Sequence, residues 1–201
     1  MKKIFLLPLG IAALLALNSC GGNKEEKEEP ENAMEALQQF AEEAKENANK
    51  EPVDPVDFRE LKALLPEKML GMERTESSGE KSGAMGFTIS NAKAEYENKD
   101  DNATIRVELM DTGGIAGVAT MALAAWTMAD IDKETATGYE KTTKINGHKA
   151  YEQYDNERKS GELNVMVARR FIVNVNASNV SADQMKAVIS ELDLDKLEDL
   201  K

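Results

Sequence analysis

Hydrophobic residues alternate with polar ones in several segments of the chain, and this period of two predicts β-strands. In "ATIRVELMD" the alternation puts Ile105, Val107 and Leu109 on one side of a strand. Runs of the same kind, bounded by turn residues, predict six to seven strands. In chain order they are GMERTESS, FTISNAKAEYE, ATIRVELMD, YEKTTKI, HKAYEQYD, GELNVMVA and FIVNVNA.

Short polar turns connect these strands, and such turns indicate an antiparallel sheet. Asn146-Gly147 separates YEKTTKI from HKAYEQYD, and the dipeptide suits a type I′ hairpin turn, in which both central residues have positive φ. A tight turn at Arg169-Arg170 joins the last two strands. The stretch "GEKSGAMG" is rich in glycine and polar residues and is predicted to be a loop.

Segments with helical spacing frame the strands. The segment 57–65 begins with an aspartate N-cap and has Glu60 three residues later, which is the spacing of a capping box. "SADQMKAVISEL" opens with Ser181 and Gln184 in the same arrangement, and DKLEDLK adds a last helical turn. The segment 32–49 has a thin stripe, mostly of alanine, which predicts a marginal helix or stalk.

The most apolar stretch after the N-terminus, "GGIAGVATMALAAWTMA", predicts a buried central helix over 115–129, with Trp126 in the core. It is roughly 22 Å long as a helix, which is shorter than the ~30 Å hydrocarbon core of a membrane. Its glycines match neither the dinucleotide fingerprint nor the P-loop, so a turn that leads into a packing helix is preferred to a phosphate site.

Together these patterns predict an α+β fold, with an antiparallel sheet of about six to seven strands packed with helices, including the apolar central helix. The predicted organisation is a signal peptide at 1–19, a lipidated acidic tether at 20–31, a marginal helix and proline linker at 32–56, and an α+β globular domain at 57–201.

The N-terminus has the layout of an export signal. Lys2 and Lys3 precede the apolar run Ile4 to Leu17, which is too short to span a bilayer. The run ends in "LNSC", which resembles the lipobox of bacterial lipoproteins. That resemblance implies diacylglyceryl transfer to the thiol of Cys20, cleavage before it and acylation of the new amino group. The alternative is cleavage at another bond, which would leave Cys20, the only cysteine, as a free thiol.

The segment after Cys20, "GGNKEEKEEPEN", has too few apolar residues to fold and is predicted to be a solvated tether. An acidic cluster behind the acylated cysteine resembles the surface-export signal of lipoproteins in Bacteroidota. The expected location is therefore the outer membrane, with the chain held by its lipid, and the cell surface is weighed against a periplasm-facing position.

Charge excludes one class of partner. The formal net charge is −12, and loss of the leader, which contains Lys2, Lys3 and no acidic residue, lowers it to −14. Such a chain repels nucleic-acid phosphates and acidic lipid surfaces, so contact with the membrane is expected through the lipid anchor alone.

Candidate chemistry is sparse, and no catalytic residue, cofactor or metal site is predicted. His148 is the only histidine, so zinc sites with several imidazoles and the usual catalytic triads lack support. Asp130, Asp132 and Glu134 lack the spacing of a calcium loop and are interpreted as an acidic helix exit. On the predicted hairpin, Tyr151 and Tyr154 would face opposite sides of the sheet.

The strand order and the closing "FIVNV…DQMKAVISELDLDKLEDL" resemble, in architecture, the α/β/α sandwich of the PsbP family. The run "SGEKSGAMGFTISNAKAEYEN…DTGGIAGVATMALAAW" is similar to a set of uncharacterised bacterial proteins. Neither resemblance implies a catalytic residue.

The sequence therefore predicts a membrane-anchored envelope lipoprotein with a non-catalytic binding domain, whose partner is an envelope protein or a small ligand. Two alternatives stay open: an envelope hydrolase that uses carboxylates or a serine, and a carrier of an apolar ligand. The hydrolase requires a cleft in which two acidic groups converge, and the carrier requires an apolar cavity between sheet and helices.

Overall fold

The computed structural model describes residues 53–84, 87–113 and 125–200. Within these ranges the chain forms one antiparallel sheet of nine strands with three short α-helices. The helices are α1 (Phe58–Ala63), α2 (Ala182–Glu191) and α3 (Leu194–Asp199). The strands are β1 (Lys68–Met69), β2 (Met72–Ala84), β3 (Phe87–Asn98), β4 (Ala103–Asp111), β5 (Asp132–Glu134), β6 (Gly138–Ile145), β7 (His148–Asp155), β8 (Ser160–Val167) and β9 (Phe171–Ser178), and a 3-10 turn spans Ala125–Met128.

The strand order in the sheet is β1-β2-β3-β4-β9-β8-β7-β6-β5. Two meanders therefore meet in the middle, where β4 pairs with β9. The chain leaves β4 at the centre, re-enters at the far edge through β5 and returns strand by strand to β9. Each half is built from short hairpins, and one long connection joins them.

One face of the sheet, called here the covered face, carries the hydrophobic core. Its central pairs are Ile105 with Ala177, Val107 with Val175 and Leu109 with Val173, and all six side chains are buried. The helices pack on this same face, and their core side chains are Leu61, Met185, Val188, Ile189, Leu194 and Leu197.

Two tyrosine hydroxyl groups of the sheet bond the segments next to α1 and α2 and fix these segments on the covered face. The Tyr96 hydroxyl donates to the carbonyl of Pro66, just after α1, at 2.9 Å. The Tyr154 hydroxyl donates to the carbonyl of Val180, just before α2, at 2.7 Å. Because both phenols are largely buried, these bonds satisfy groups that would otherwise be costly to bury.

The other face, called here the open face, is mostly polar and carries no α-helix among the described residues. Residues in register across five consecutive strands, from β6 to β4, form one polar row: Glu140, Gln153, Glu162, Asn176 and Arg106. A second row runs beside it and consists of Thr142, Tyr151, Asn164, Asn174 and Glu108.

A buried ion pair closes the domain at the end of β4. Asp111, fully buried, accepts two bonds from the Arg170 guanidinium, at 2.8 and 2.6 Å. The same carboxylate accepts the backbone N–H groups of Val56 and Gly113, each at 2.8 Å. Arg170 also donates to the carbonyl of Leu200 at 3.4 Å. The pair thus links the first described residues, the β8–β9 turn and the C-terminal segment.

Several predicted turns and caps are confirmed. Asn146 and Gly147 both have positive φ, at 52° and 85°, as a type I′ turn requires. Ser181 and Gln184 form the complete capping box of α2. Asp57 caps α1 by accepting the N–H of Arg59 at 2.8 Å, but it does not form the capping box with Glu60 that the spacing predicts.

The predicted fold class is wrong. The sheet has nine strands rather than six to seven, and no apolar central helix is present in the described part of the chain. Of 115–129, residues 125–128 form the 3-10 turn and 129 follows it, whereas 115–124 lie outside the described residues.

The strands that sequence patterns missed have little hydrophobic alternation. β1 has only two residues, and all three residues of β5, "DKE", are exposed. β5 replaces the predicted acidic helix exit. β2 runs on through "GEKSGA", which was predicted as a loop, because it pairs residue for residue with β3 up to Ala84 and Phe87. Backbone hydrogen bonding to β3 makes this segment a strand, although its side chains show no alternation of hydrophobic and polar residues.

Cys20, the tether 20–31 and the stalk 32–49 lie outside the described residues, so their predictions stay predictions. Among the helices that are described, none has the length and hydrophobicity needed to cross a bilayer.

Candidate functional site

A groove of about 400 Å³ lies on the open face above β6, β7 and β8. The 3-10 turn and the residues after it form its wall, and polar side chains from the strands form its floor. Its lining includes Trp126, Ile131, Glu140, Tyr151, Glu162 and Asn164. Alternation along three neighbouring strands places these groups on one face, because every second residue of β6, β7 and β8 points the same way.

Glu162 is held by side-chain amides. Its Oε1 accepts the Nδ2 groups of Asn164, at 2.7 Å, and Asn174, at 3.1 Å. The Oδ1 of Asn164 in turn accepts Nδ2 of Asn174 at 2.7 Å. No ion pair between described residues includes Glu162, and its Oε2 accepts no hydrogen bond from them. The carboxylate is therefore fixed in position and keeps one oxygen for a ligand.

Glu140 is the second carboxylate of the groove, two strands away from Glu162. The register places their Cα atoms roughly 10 Å apart, from the ordinary spacing of strands. Lys133 lies 3.3 Å from Glu140 Oε2, but the lysine side chain is 64% exposed. Glu140 therefore has a cationic partner, although solvent and salt screen an ion pair that is this exposed.

Tyr151 and Trp126 supply the aromatic surface. Their ring centroids lie 6.4 Å apart, with the planes tilted by 33°. The Tyr151 hydroxyl donates to Gln153 Oε1 at 3.4 Å. Burial, followed by the neighbouring carboxylates of Glu140 and Glu162, raises the pKa of Tyr151 to about 12. The phenol therefore stays neutral at physiological pH, and its raised pKa reflects the negative potential of the groove.

A second depression, of about 450 Å³, continues the groove toward the end of the sheet. It shares Glu140 and Glu162 with the first and adds Gln153, Asn176 and Ser178 from the same face. Arg158 lies at its rim. The two depressions thus lie next to each other along β6 to β9 and share two carboxylates.

A different cluster surrounds Glu152 on the covered face. Glu152 is 1% exposed, and the Tyr139 hydroxyl donates to its Oε1. Lys141 lies 3.6 Å from Oε2, and Lys186 of α2 lies 3.9 Å from Oε1. Burial and the hydrogen bond to Glu152 raise the pKa of Tyr139. Because its partners surround Glu152, we interpret this cluster as a clamp between α2 and the sheet.

Most residues considered above as candidate site residues make structural contacts instead. His148 begins β7, with Nδ1 3.7 Å from Glu198 Oε1, and is partly buried rather than fully exposed. Asp130 pairs with Lys149 at 3.4 Å. Trp126 is half-buried against Tyr151, so its predicted place in the core is wrong.

The predicted opposite orientation of Tyr151 and Tyr154 is confirmed. Tyr154 pairs with Tyr139 and Gly161 on the covered face, and Tyr151 pairs with Thr142 and Asn164 on the open face.

In the part of the chain that the structure describes, neither a metal site nor a serine-based catalytic site is assembled. No three metal-binding side chains cluster there. The buried Ser90 hydroxyl lacks a hydrogen-bond partner among described residues, but its register partner is Asp111, and His148 lies four strands away across the sheet. A serine–histidine pair is therefore not formed by these two residues.

Sequence patterns missed Glu140, Glu162, Asn164 and Asn174 as site residues. The available signal was their placement at polar positions of adjacent strands. It becomes useful only when the pairing of β6 to β9 is known, because register decides which polar residues are neighbours.

Compared with protein-family models, curated proteins and solved structures, the chain has no significant match in any of the three.

Proposed function

We propose that the chain is an envelope lipoprotein, anchored in the outer membrane through lipid on Cys20, and that its sheet domain binds a small polar ligand in the open-face groove without catalysing a reaction. The ligand-binding part of the proposal depends on one observation. Glu140, Tyr151, Glu162 and Trp126 share one groove on a sheet face that no described α-helix covers.

The N-terminal sequence supports the anchoring part of the proposal. A short apolar leader, the LNSC box and a single cysteine occur together, followed by an acidic tether. More than one acyl chain at this position holds a protein stably at a bilayer. The acidic tether resembles a surface-export signal, so the cell-surface side of the outer membrane is preferred slightly to a periplasm-facing position.

The floor of the groove is suited to binding because its polar groups are already ordered. Asn164 is only 8% exposed and bonds both Glu162 and Asn174. A ligand that meets such a floor does not have to immobilise it, which lowers the entropic cost of binding.

An apolar carrier is less well supported. Between sheet and helices, the described part of the chain is filled by fully buried side chains such as Leu61, Met69, Met185 and Ile189. Both described grooves instead lie along polar rows of the open face.

A carboxylate-dependent hydrolase is the second candidate, because Glu140 and Glu162 line the same groove and aromatic rings adjoin them. Hydrolysis of a glycosidic bond uses two such carboxylates. The hydrolase would be favoured over the binding module if the domain hydrolysed a glycoside and if Glu140→Gln and Glu162→Gln each abolished hydrolysis while binding persisted.

The ligand-binding part is tested by fluorescence, because Trp126 is the only tryptophan and lies in the groove. The domain is titrated with a panel of sugars, amino acids and amines. We expect a saturable change in tryptophan emission with at least one class, and a weaker affinity in Tyr151→Leu.

The matched control is Glu108→Gln, which alters a carboxylate of the open face that pairs with Lys93 and lies outside the groove lining. Its affinity should equal that of the unmodified domain. No saturable change with any class, or an equal loss in Glu108→Gln, would refute binding in the groove.

A further inference from the structure

The groove's charge and aromatic surface together restrict the ligand class. Two carboxylates line it, and the nearby positive groups pair with carboxylates other than Glu162. Arg106 bonds Glu95 at 2.6 Å, and Lys93 lies 3.3 Å from Glu108. Lys133, the cation next to Glu140, is mostly exposed. Glu162 is therefore the carboxylate of the groove that no described cation pairs with, and Glu140 shares its charge only with an exposed lysine.

The amide network gives Glu162 a defined orientation. Both amide donors bind Oε1, which leaves Oε2 without a donor among the described residues. Because Asn164 and Asn174 use donor groups in this network, they offer few N–H groups to an anionic or strongly accepting ligand. The site is arranged to accept hydrogen bonds or positive charge.

The two aromatic rings of the groove provide a second attractive interaction for the same ligand. Trp126 and Tyr151 are both half-buried, with centroids 6.4 Å apart. The negative face of an aromatic ring attracts cations, and an ammonium group with apolar substituents gains from both the ring and a nearby carboxylate. A hydrated metal ion would gain little from the rings, and a phosphate would be repelled by Glu140 and Glu162.

We infer that the groove binds a small organic ammonium ion, with its charged group next to Glu162 and Glu140 and its carbon substituents against Trp126 and Tyr151. A volume of about 400 Å³ fits a compact molecule. This inference rests on the proposed function, since it names the ligand class of the same groove.

The test compares choline with its uncharged carbon isostere, dimethylbutanol, and with a neutral disaccharide, by Trp126 emission and by calorimetry. We expect choline to bind at least about tenfold more tightly than dimethylbutanol, a factor that corresponds to about 1.4 kcal/mol. Added salt should weaken choline binding and leave the isostere unaffected.

Glu162→Gln is the decisive variant, because it removes the charge and keeps the shape. It should weaken choline binding about tenfold and leave dimethylbutanol binding unchanged. Glu108→Gln, the control from the same face, should change neither. Circular dichroism and the unfolding midpoint should confirm that both variants are folded.

The outcomes separate the two proposals. If the disaccharide gives a saturable signal and choline gives none, the ammonium inference is overturned and the binding groove stands. Equal affinity for choline and dimethylbutanol also overturns it. If none of the three ligands, nor any other class, binds, both the inference and the proposed groove function fail.

Discussion

Two buried carboxylates, Asp111 and Glu152, have different surroundings at the residue scale. Asp111 receives two backbone N–H groups and a two-pronged guanidinium from Arg170, so each of its oxygens accepts two bonds. Glu152 is surrounded by a phenol and two lysines at 3.6 and 3.9 Å. Buried charges are stable only when partners of this kind replace water.

Asp111→Asn should lower the free energy of unfolding by about 3–5 kcal/mol, because it leaves the largely buried Arg170 without its counter-charge. Urea unfolding measures the loss. Asp54→Asn is the control, since Asp54 also pairs with a cation, Lys81, but is 82% exposed. A change within about 0.5 kcal/mol is expected there. Equal effects of the two substitutions would contradict the importance given to the buried pair.

The four tyrosines make a joint prediction about alkaline pH. Burial is the main cause that raises the pKa of all four: Tyr96 and Tyr151 to about 12, and Tyr139 and Tyr154 in the same direction. Unfolded tyrosine ionises near pH 10. The folded state therefore holds these protons more tightly, and their contribution to stability is complete below about pH 10 and is lost between about pH 10 and 12.

Ultraviolet titration tests this directly. The folded domain should show little phenolate at pH 10, where the urea-unfolded chain shows about half of its tyrosines ionised. Tyr151→Phe should remove one of the late-titrating groups. Phenolate that appears at the same pH in both states would contradict the burial of these hydroxyls.

At the scale of elements, α1 lies directly against β2 at Gly79. A methyl group added there would lie 2.7 Å from Cδ2 of Phe58 and 3.1 Å from the carbonyl oxygen of Asn91. The glycine permits close approach of helix and strand, which explains its place within a long strand.

Gly79→Ala should therefore cost about 1–3 kcal/mol of unfolding free energy, because the Phe58 ring must move. A double-mutant cycle with Phe58→Ala gives the control. In the Phe58→Ala background the same glycine substitution should cost clearly less, since the clash with the ring is gone. Additive losses would show that the contact does not limit the packing of α1.

The strands also show which parts of the fold can be predicted from the sequence. Seven strands follow hydrophobic alternation or sharp turn signals, and a strand was predicted in each of those places. β1, β5 and the second half of β2 have polar or glycine-rich sequences and form because a neighbouring strand pairs with them. Pairing is a property of the whole sheet, so single-segment patterns do not report it.

The groove was unpredictable for the same reason. Glu140, Tyr151 and Glu162 belong to three strands and become neighbours only through the register of β6, β7 and β8. The apolar composition of 115–129 favoured a core helix, yet Trp126 lies on the open face against Tyr151. Hydrophobicity indicates that a segment is covered, but it does not specify which face of a sheet it covers.

At the scale of the whole molecule, the proposed anchor predicts a covalent change. Cys20→Ser should abolish incorporation of labelled fatty acid and release the protein from the membrane fraction, because the acyl chains supply the membrane affinity. Ser19→Ala, which keeps the lipobox pattern, should stay membrane-bound. An unmodified thiol at Cys20 in the native protein, found by mass spectrometry, would contradict the anchor.

The proposed cleavage would leave a net charge of −14, which predicts that the tether keeps the domain away from the membrane surface. Acidic residues repel anionic lipid, so the domain should stand away from the bilayer with its open face accessible to solutes. A cationic ligand would be attracted by the same field, which increases its rate of encounter at low ionic strength.

The most direct test of the central claim, that the open-face groove is the binding site, is nuclear magnetic resonance of the labelled domain titrated with choline. We predict saturable shifts of the Trp126 indole N–H, the Asn164 and Asn174 side-chain amides and the backbone amides of Tyr151 and Glu162, with α2 and α3 unaffected. Shifts confined to the covered face, or no saturable shift at these residues with choline or any other ligand class, would contradict the account.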